Sequence, residues 1–177
     1  GHVSLIKDSG LDPTGRTAKL VQLPSLLYVD AAGTIGGKQF RTLGRLRYQT
    51  DETYWDEWFI VFDDGRRGWL VEDEGEFTFY AKKTLTGTVP PFQSVRAGSS
   101  VQIDGRSVFV TEKGEAKIAG GEGQLAFTIL PGERIDYIDG TSDGKIVSVE
   151  YAEDEIEFAI GQPIDRDDIV LEEPDYF

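Results

Sequence analysis

The chain has 177 residues, 39% of them hydrophobic, with 21 glycines and a formal net charge of −14 at pH 7. This length suits a single domain with one sizeable core, while the acidic charge repels phosphate backbones and anionic lipid, so we expect neither a nucleic-acid partner nor direct membrane insertion. The absence of cysteine excludes disulfides, thiolate nucleophiles and Cys-ligated zinc, and nothing else in the sequence predicts a cofactor or a metal.

The ends of the chain predict its domain limits. Gly1-His2, in a chain without methionine, is typical of a cloning remnant, so residues 1–10 are expected to be a tag or linker. A signal, a membrane segment or another domain could precede it in the natural protein. We predict one β domain over residues 11–171, followed by an acidic tail at 172–177. The double proline Pro90-Pro91 divides it into halves at about 11–87 and 88–171, because proline interrupts a strand ladder.

The first predicted strand spans residues 40–48. Alternation places Arg41, Arg45 and Arg47 on one face, with Phe40 and the apolar side chains of residues 46 and 48 on the other. This pattern predicts a half-exposed strand with a basic outer face.

The next two strands form the clearest hairpin. Trp58–Phe62 is apolar on both faces, which is typical of a strand covered on both sides, and Arg67–Val71 follows it. Between them Asp64-Gly65 tolerates positive φ, so we predict a type I′ turn.

The second half shows the same pattern. Asp104-Gly105 joins runs at 101–103 and 106–110, and further Gly turns follow. Gly120–Gly123 lacks the following helix of a phosphate loop, so we predict a tight turn or bulge with close backbone approach, continued as strand through Ala126-Phe127. No window has helical periodicity. The fold class is therefore all-β and antiparallel, with two β halves forming barrel- or sandwich-like packed sheets and little helix.

Several segments of this sequence resemble motifs of a bacterial family catalogued as domain of unknown function 4178. They are FRTLGRLR at 40–47, WDEW at 55–58, FDDGRRGWL at 62–70 and GGEGQL at 120–125. Asp56 stands where the family usually has Asn, and the paired Cys-x-x-Cys of many relatives is missing here. Relatives are often encoded beside small membrane proteins and enzymes resembling polyamine synthases or decarboxylases. The resemblance therefore implies an accessory role in the cytoplasm, near or peripheral to the inner membrane.

The densest candidate site is the group Trp55, Asp56, Glu57, Arg67 and Trp69. A tryptophan beside carboxylates could stack on a sugar or hold an organic cation, whereas the alternative interpretation makes these tryptophans core residues. Because adjacent strand residues point oppositely, Asp56 and Glu57 cannot share a face.

Three functions follow as hypotheses. The first is a non-catalytic interaction module, not an enzyme, that binds a protein partner in a bacterial membrane-associated assembly, because His2 is the only histidine and no catalytic group is recognisable. The second is a small-ligand binder for a cation such as a polyamine, based on acidic segments at 51–76 and 150–177. The third is a carboxylate-based glycan hydrolase, which requires inward carboxylates in one groove.

Overall fold

A computed structural model describes residues 25–125, 132–152 and 155–173. The predicted tag at 1–10, the beginning of the first predicted half, the strand continuation through Ala126-Phe127 and residues 174–177 of the predicted tail lie outside the described residues.

Strands make up most of the described chain. Their bounds are β1 Ala32–Ile35, β2 Lys38–Gln49, β3 Tyr54–Phe62, β4 Arg67–Asp73, β5 Glu76–Lys83, β6 Ser100–Ile103, β7 Arg106–Gly123, β8 Arg134–Ser142, β9 Lys145–Tyr151, β10 Ile156–Ile164 and β11 Ile169–Leu171. Within the described ranges, helix is confined to two 3₁₀ turns, Phe92–Ser94 and Arg166–Asp168.

Eight of the described strands pair in a closed ring, in the order β2, β3, β4, β5, β10, β9, β8, β7 and back to β2. Every pairing in the ring is antiparallel. β11 and β1 continue the sheet beyond β2, and β6 continues it beyond β7. The prediction of an all-β antiparallel fold is confirmed, and of the two predicted arrangements the strands form the barrel-like one.

The glycine turns join consecutive strands, but the first hairpin differs from its prediction. Gly65 has φ +89°, whereas Asp64 does not have positive φ, and the Phe62 carbonyl accepts a hydrogen bond from the Gly65 N–H. A type I′ turn needs positive φ at both central residues, so that prediction is wrong here. The connection has more than two residues, which accommodates an ordinary turn followed by one left-handed glycine. Asp104 and Gly105 both have positive φ, as type I′ geometry requires.

A bulge in β2 overturns the predicted basic outer face. The register with β3 shifts between Thr42 and Gly44, so Phe40 lies on the opposite face from Leu46. Arg45 and Arg47 are not half-exposed: 3% and 5% of their surfaces are accessible. One extra residue reverses the alternation, and simple period-two counting cannot anticipate it.

The strand predicted to be covered on both sides is confirmed. Trp58 and Ile60 in β3 are fully buried and pack on the outer face of the ring with Phe40 and Leu70. Phe59, on the opposite face, packs inside the ring with residues of β2, β7 and β8. A separate outer cluster, built around residues 138, 147 and 149, is covered by the segment that contains Val95.

Close backbone approach closes the ring between β2 and β7. A Cβ on Gly44 would lie 2.1 Å from the Gln124 carbonyl oxygen, and one on Gly123 would lie 2.5 Å from the Leu43 carbonyl oxygen. The register also shifts beside Gly120, which marks a bulge. The predicted bulge with close approach is therefore confirmed, and these glycines permit strand pairing where a side chain would collide with backbone.

Candidate functional site

A cavity of about 470 Å³ lies inside the ring, with lining residues from all eight ring strands. Among the described residues it is lined by eight carboxyl side chains: Glu57, Asp73, Glu74, Glu76, Glu112, Asp139, Glu150 and Glu157. Its aromatic lining is Tyr48, Trp55, Phe59, Trp69, Tyr80 and Tyr137, whereas the side chain of Phe158 packs in the outer cluster around residues 138, 147 and 149. Several lining residues, such as Glu74 and Glu76, are exposed, so solvent reaches the cavity. We call this space the ring cavity.

Four of the five residues predicted from the sequence line the ring cavity. They are Trp55, Glu57, Arg67 and Trp69. Trp55 is half-buried; its ring stacks on Tyr48 at 5.4 Å between centroids, and its Nε1–H donates to Glu57 Oε2 at 2.9 Å. Trp69 is half-buried as well, 5.0 Å from the Phe59 ring. The tryptophans thus form part of a lined wall, with some of their surface still accessible.

Asp56 lies on the other face of β3, away from the cavity. Its carboxylate accepts hydrogen bonds from Arg45 and from Arg47, whose Nε lies 2.7 Å from Asp56 Oδ1. The hydrogen bond that Arg47 donates to Asp56 raises the pKa of Arg47, although burial opposes this. Arg45 also lies over the Trp58 ring, at 4.7 Å. Asp56 therefore joins β3 to β2 through a buried ion cluster, and its role here is structural.

Four cavity carboxyl groups have raised pKa values, those of Glu57, Asp73, Asp139 and Glu150; for Asp73 the cause is burial, followed by the charge of Glu74. Burial raises the pKa of Glu57 to about 7, although the Trp55 hydrogen bond opposes this, and nearby Asp139 raises it further. Burial, followed by the charge of Glu57, raises the pKa of Glu150. Burial also raises the pKa of Asp139 to about 6, against a hydrogen bond from Ser148. Confinement and mutual repulsion thus penalise the ionised forms.

Strand register places acidic residues directly opposite one another. Asp73 faces Glu76 across β4 and β5, Glu112 faces Asp139 across β7 and β8, and Glu150 faces Glu157 across β9 and β10. Like charges at such positions destabilise a sheet. All three pairs line one cavity, so the fold concentrates negative charge there at the expense of its own stability.

Few cations offset this charge. In the described part of the chain, Arg67 and Lys82 are the basic residues that line the cavity. Lys82 Nζ lies 2.9 Å from Glu157 Oε1. The ring cavity therefore has a surplus of acidic groups available to an incoming cation.

The acidic groups are spread out. Within the described ranges, no group of three or more acidic or histidine side chains is gathered so as to hold a metal ion. Aromatic side chains line the same cavity as the carboxyl groups, and this combination fits an organic cation better than a point charge.

A second, larger groove of about 640 Å³ lies outside the ring. It is lined by the Pro90–Phe92 segment together with residues of β7, β8, β9 and β10. It contains the exposed ion pair of Arg134 with Glu115, but no comparable concentration of buried carboxyl groups. Although it is larger, this groove is a weaker candidate than the ring cavity, because of the two only the ring cavity combines many carboxyl groups with confinement.

Sequence reasoning pointed to the acidic segment 150–177, which contains Glu150 and Glu157, but it missed Glu112 and Asp139 and named none of these four as site residues. A signal was present: in KIVSVEY, Val147 and Val149 alternate with Ser148 and Glu150, and Asp139 follows Ile138 in the same way. Alternation shows that one face is polar. That this polar face points into a ring follows only from the strand pairing.

Fold and site together define an all-β domain whose ring of strands encloses an acidic, aromatic-lined cavity. The chain belongs to the family described as Domain of unknown function (DUF4178), whose sequence profile matches residues 29–166. The resemblance noted from the sequence is thereby confirmed. Searches of curated proteins and of solved structures returned no match. Over the described residues, no helix has the length and apolar character needed to cross a membrane.

Proposed function

We propose that this domain binds a small organic cation in the ring cavity, and that a polyamine such as spermidine represents the ligand class. The observation that carries the proposal is the set of facing acidic pairs inside one aromatic-lined cavity. The volume of about 470 Å³ lies within the ordinary range of small-molecule sites.

Two kinds of contact would act on such a ligand. Ammonium groups would neutralise carboxylates that repel each other in the free protein, which relieves the cost of placing them together. The methylene groups would pack on Trp55 and Trp69, and an ammonium over an indole face adds ~0.5–2 kcal/mol. A linear polyamine carries both ammonium and methylene groups, and the cavity wall offers both carboxyl and aromatic side chains.

Titration calorimetry with spermidine at physiological salt tests the proposal. We expect measurable heat and a rise in melting temperature with the wild-type domain. The double variant Glu57→Gln with Glu150→Gln should bind at least ~10-fold more weakly, since it removes two carboxyl groups that can ionise against the ammonium groups of the ligand.

The matched control is Asp51→Asn with Glu52→Gln, which removes the same number of carboxyl groups from exposed positions in the β2–β3 turn. It should retain affinity within about twofold, because exposed charges are screened by salt. Absence of both heat and a thermal shift with the wild-type domain would refute the proposal, and equal losses in the two double variants would assign the effect to net charge alone.

The accessory-module hypothesis stays a prediction. It places the domain in the cytoplasm or against the inner membrane, in contact with a protein of a membrane-associated assembly. Affinity purification from the native host, with and without spermidine, would test it and would show whether ligand and partner are linked. The glycan-hydrolase hypothesis likewise stays a prediction.

A further inference from the structure

One basic side chain already occupies part of the acidic ring cavity. Lys82 lies on β5 opposite Ala159 of β10, and its Nζ is 2.9 Å from Glu157 Oε1. The lysine side chain is a primary ammonium on a chain of four methylenes, which is the chemical group at each end of a linear polyamine. Lys82 therefore makes the contact that a bound ammonium would make.

This contact is exchangeable. The Lys82 side chain is 48% exposed and that of Glu157 is 20% exposed. Ion pairs between such partly exposed groups are weak, since water solvates the separated charges and the long side chain regains freedom. Lys82 can leave Glu157 and turn toward solvent at small cost.

We propose that Lys82 is a tethered competitor that sets the specificity of the ring cavity for ligands with two or more ammonium groups. A monoamine that displaces Lys82 exchanges one ammonium–carboxylate contact for another and gains little. A di- or polyamine replaces that contact and also reaches other acidic pairs, such as Asp73 with Glu76, which lack this tethered ammonium. This inference rests on the proposed function, because it names the ligand feature that the same cavity selects.

The test compares Lys82→Met with Lys83→Met. Lys83 is the adjacent residue of β5, is exposed, and points away from the cavity because side chains alternate along the strand. Both variants lose one positive charge and keep an unbranched side chain of similar length. Lys82→Gln is measured beside them, and circular dichroism melting establishes that each protein is folded.

The probes are spermidine and the monoamine 1-aminobutane, measured by calorimetry. In the wild type we expect spermidine to bind and 1-aminobutane to bind at least ~10-fold more weakly. Lys82→Met and Lys82→Gln should bind spermidine about threefold to tenfold more tightly and 1-aminobutane at least as much more tightly, while Lys83→Met stays within about twofold of wild type.

The outcomes separate this inference from the proposed function. If spermidine binds wild type but the Lys82 variants bind it no more tightly than Lys83→Met does, the competitor role is wrong and the cavity remains an amine site. If 1-aminobutane binds wild type as tightly as spermidine does, the selectivity for multiple ammonium groups is wrong. If neither amine binds any of the folded proteins, both proposals are wrong.

Discussion

The carboxyl group of Glu57 allows a specific prediction about the pH dependence of stability, because burial in the folded protein disfavours its ionised form. Burial raises the pKa of Glu57 from 4.5 to about 7. Each pKa unit is worth about 1.4 kcal/mol between the two protonation states, so the ionised form in the folded protein costs about 3 kcal/mol. Water that enters the cavity screens part of this cost, and we expect about 2 kcal/mol at pH 8.

The sign follows from proton linkage. Between pH 4.5 and about 7 the folded protein holds a proton on Glu57 that the unfolded chain has released. The contribution of this group to stability is therefore present below pH 4.5 and is lost as the pH rises through about 7. Glu57→Gln keeps the shape and an oxygen that can accept the Trp55 hydrogen bond, but it cannot ionise.

Urea unfolding at pH 5 and pH 8 measures the effect. Glu57→Gln should raise the free energy of unfolding by about 2 kcal/mol at pH 8, equivalent to roughly 4–8 °C in melting temperature, and by less than about 1 kcal/mol at pH 5. Glu52→Gln, at an exposed position, should change it by less than about 0.5 kcal/mol at both pH values. Equal effects of Glu57→Gln at the two pH values, or destabilisation at pH 8, would refute the reasoning.

Four further outcomes are expected. Asp56→Ala should lower the free energy of unfolding by ~3–5 kcal/mol in urea titration, because two buried guanidinium groups lose their carboxylate; a loss below about 1 kcal/mol would contradict this. Trp58→Ala should unfold the domain or cost ~3–5 kcal/mol in the same assay, since this side chain is fully buried, and a mutant of wild-type heat stability would contradict it. Gly65→Val should cost ~1–3 kcal/mol, because a β-branched residue resists φ +89°, whereas an unchanged melting temperature would show that the turn adapts. Spermidine should bind roughly tenfold more weakly at pH 5.5 than at pH 7.5 in calorimetry, because Glu57 and Asp139, with pKa values raised to about 7 and about 6, become protonated; pH-independent affinity would exclude them from the site.

Local patterns predicted much of the fold. The run from Trp58 to Phe62 is apolar at consecutive positions, and both of its faces are covered in the structure. Asp104-Gly105 predicted a reversal of direction and supplies positive φ at both positions. These predictions succeed because side-chain alternation and backbone dihedral preference are properties of a few neighbouring residues.

Counting along one strand failed where the ladder is irregular. Period-two alternation placed Arg45 and Arg47 on an exposed face. Because of the bulge near Leu43, both side chains are instead buried and donate hydrogen bonds to Asp56. The sequence contains no unambiguous sign of that bulge, because whether a residue is extra depends on the strand it pairs with.

The candidate site, like the fold, was predicted from the sequence only in part. Sequence alone selected Trp55, Glu57 and Trp69, since aromatic and acidic residues concentrate there, and it located excess acidity at 51–76 and 150–177. Glu112 and Asp139 lie outside those segments, and only the closed ring brings them to the same cavity.

The amino-acid sequence by itself determined that this chain forms antiparallel strands, where they reverse, and which stretch is most deeply covered, because each depends on short-range preferences. The tertiary structure decided which face of each strand points inward and which carboxyl groups share a cavity. Those outcomes depend on β2 pairing with β7 and β5 with β10, contacts between residues far apart in the chain. Only after the ring closes do carboxyl groups from distant segments repel one another across a confined space.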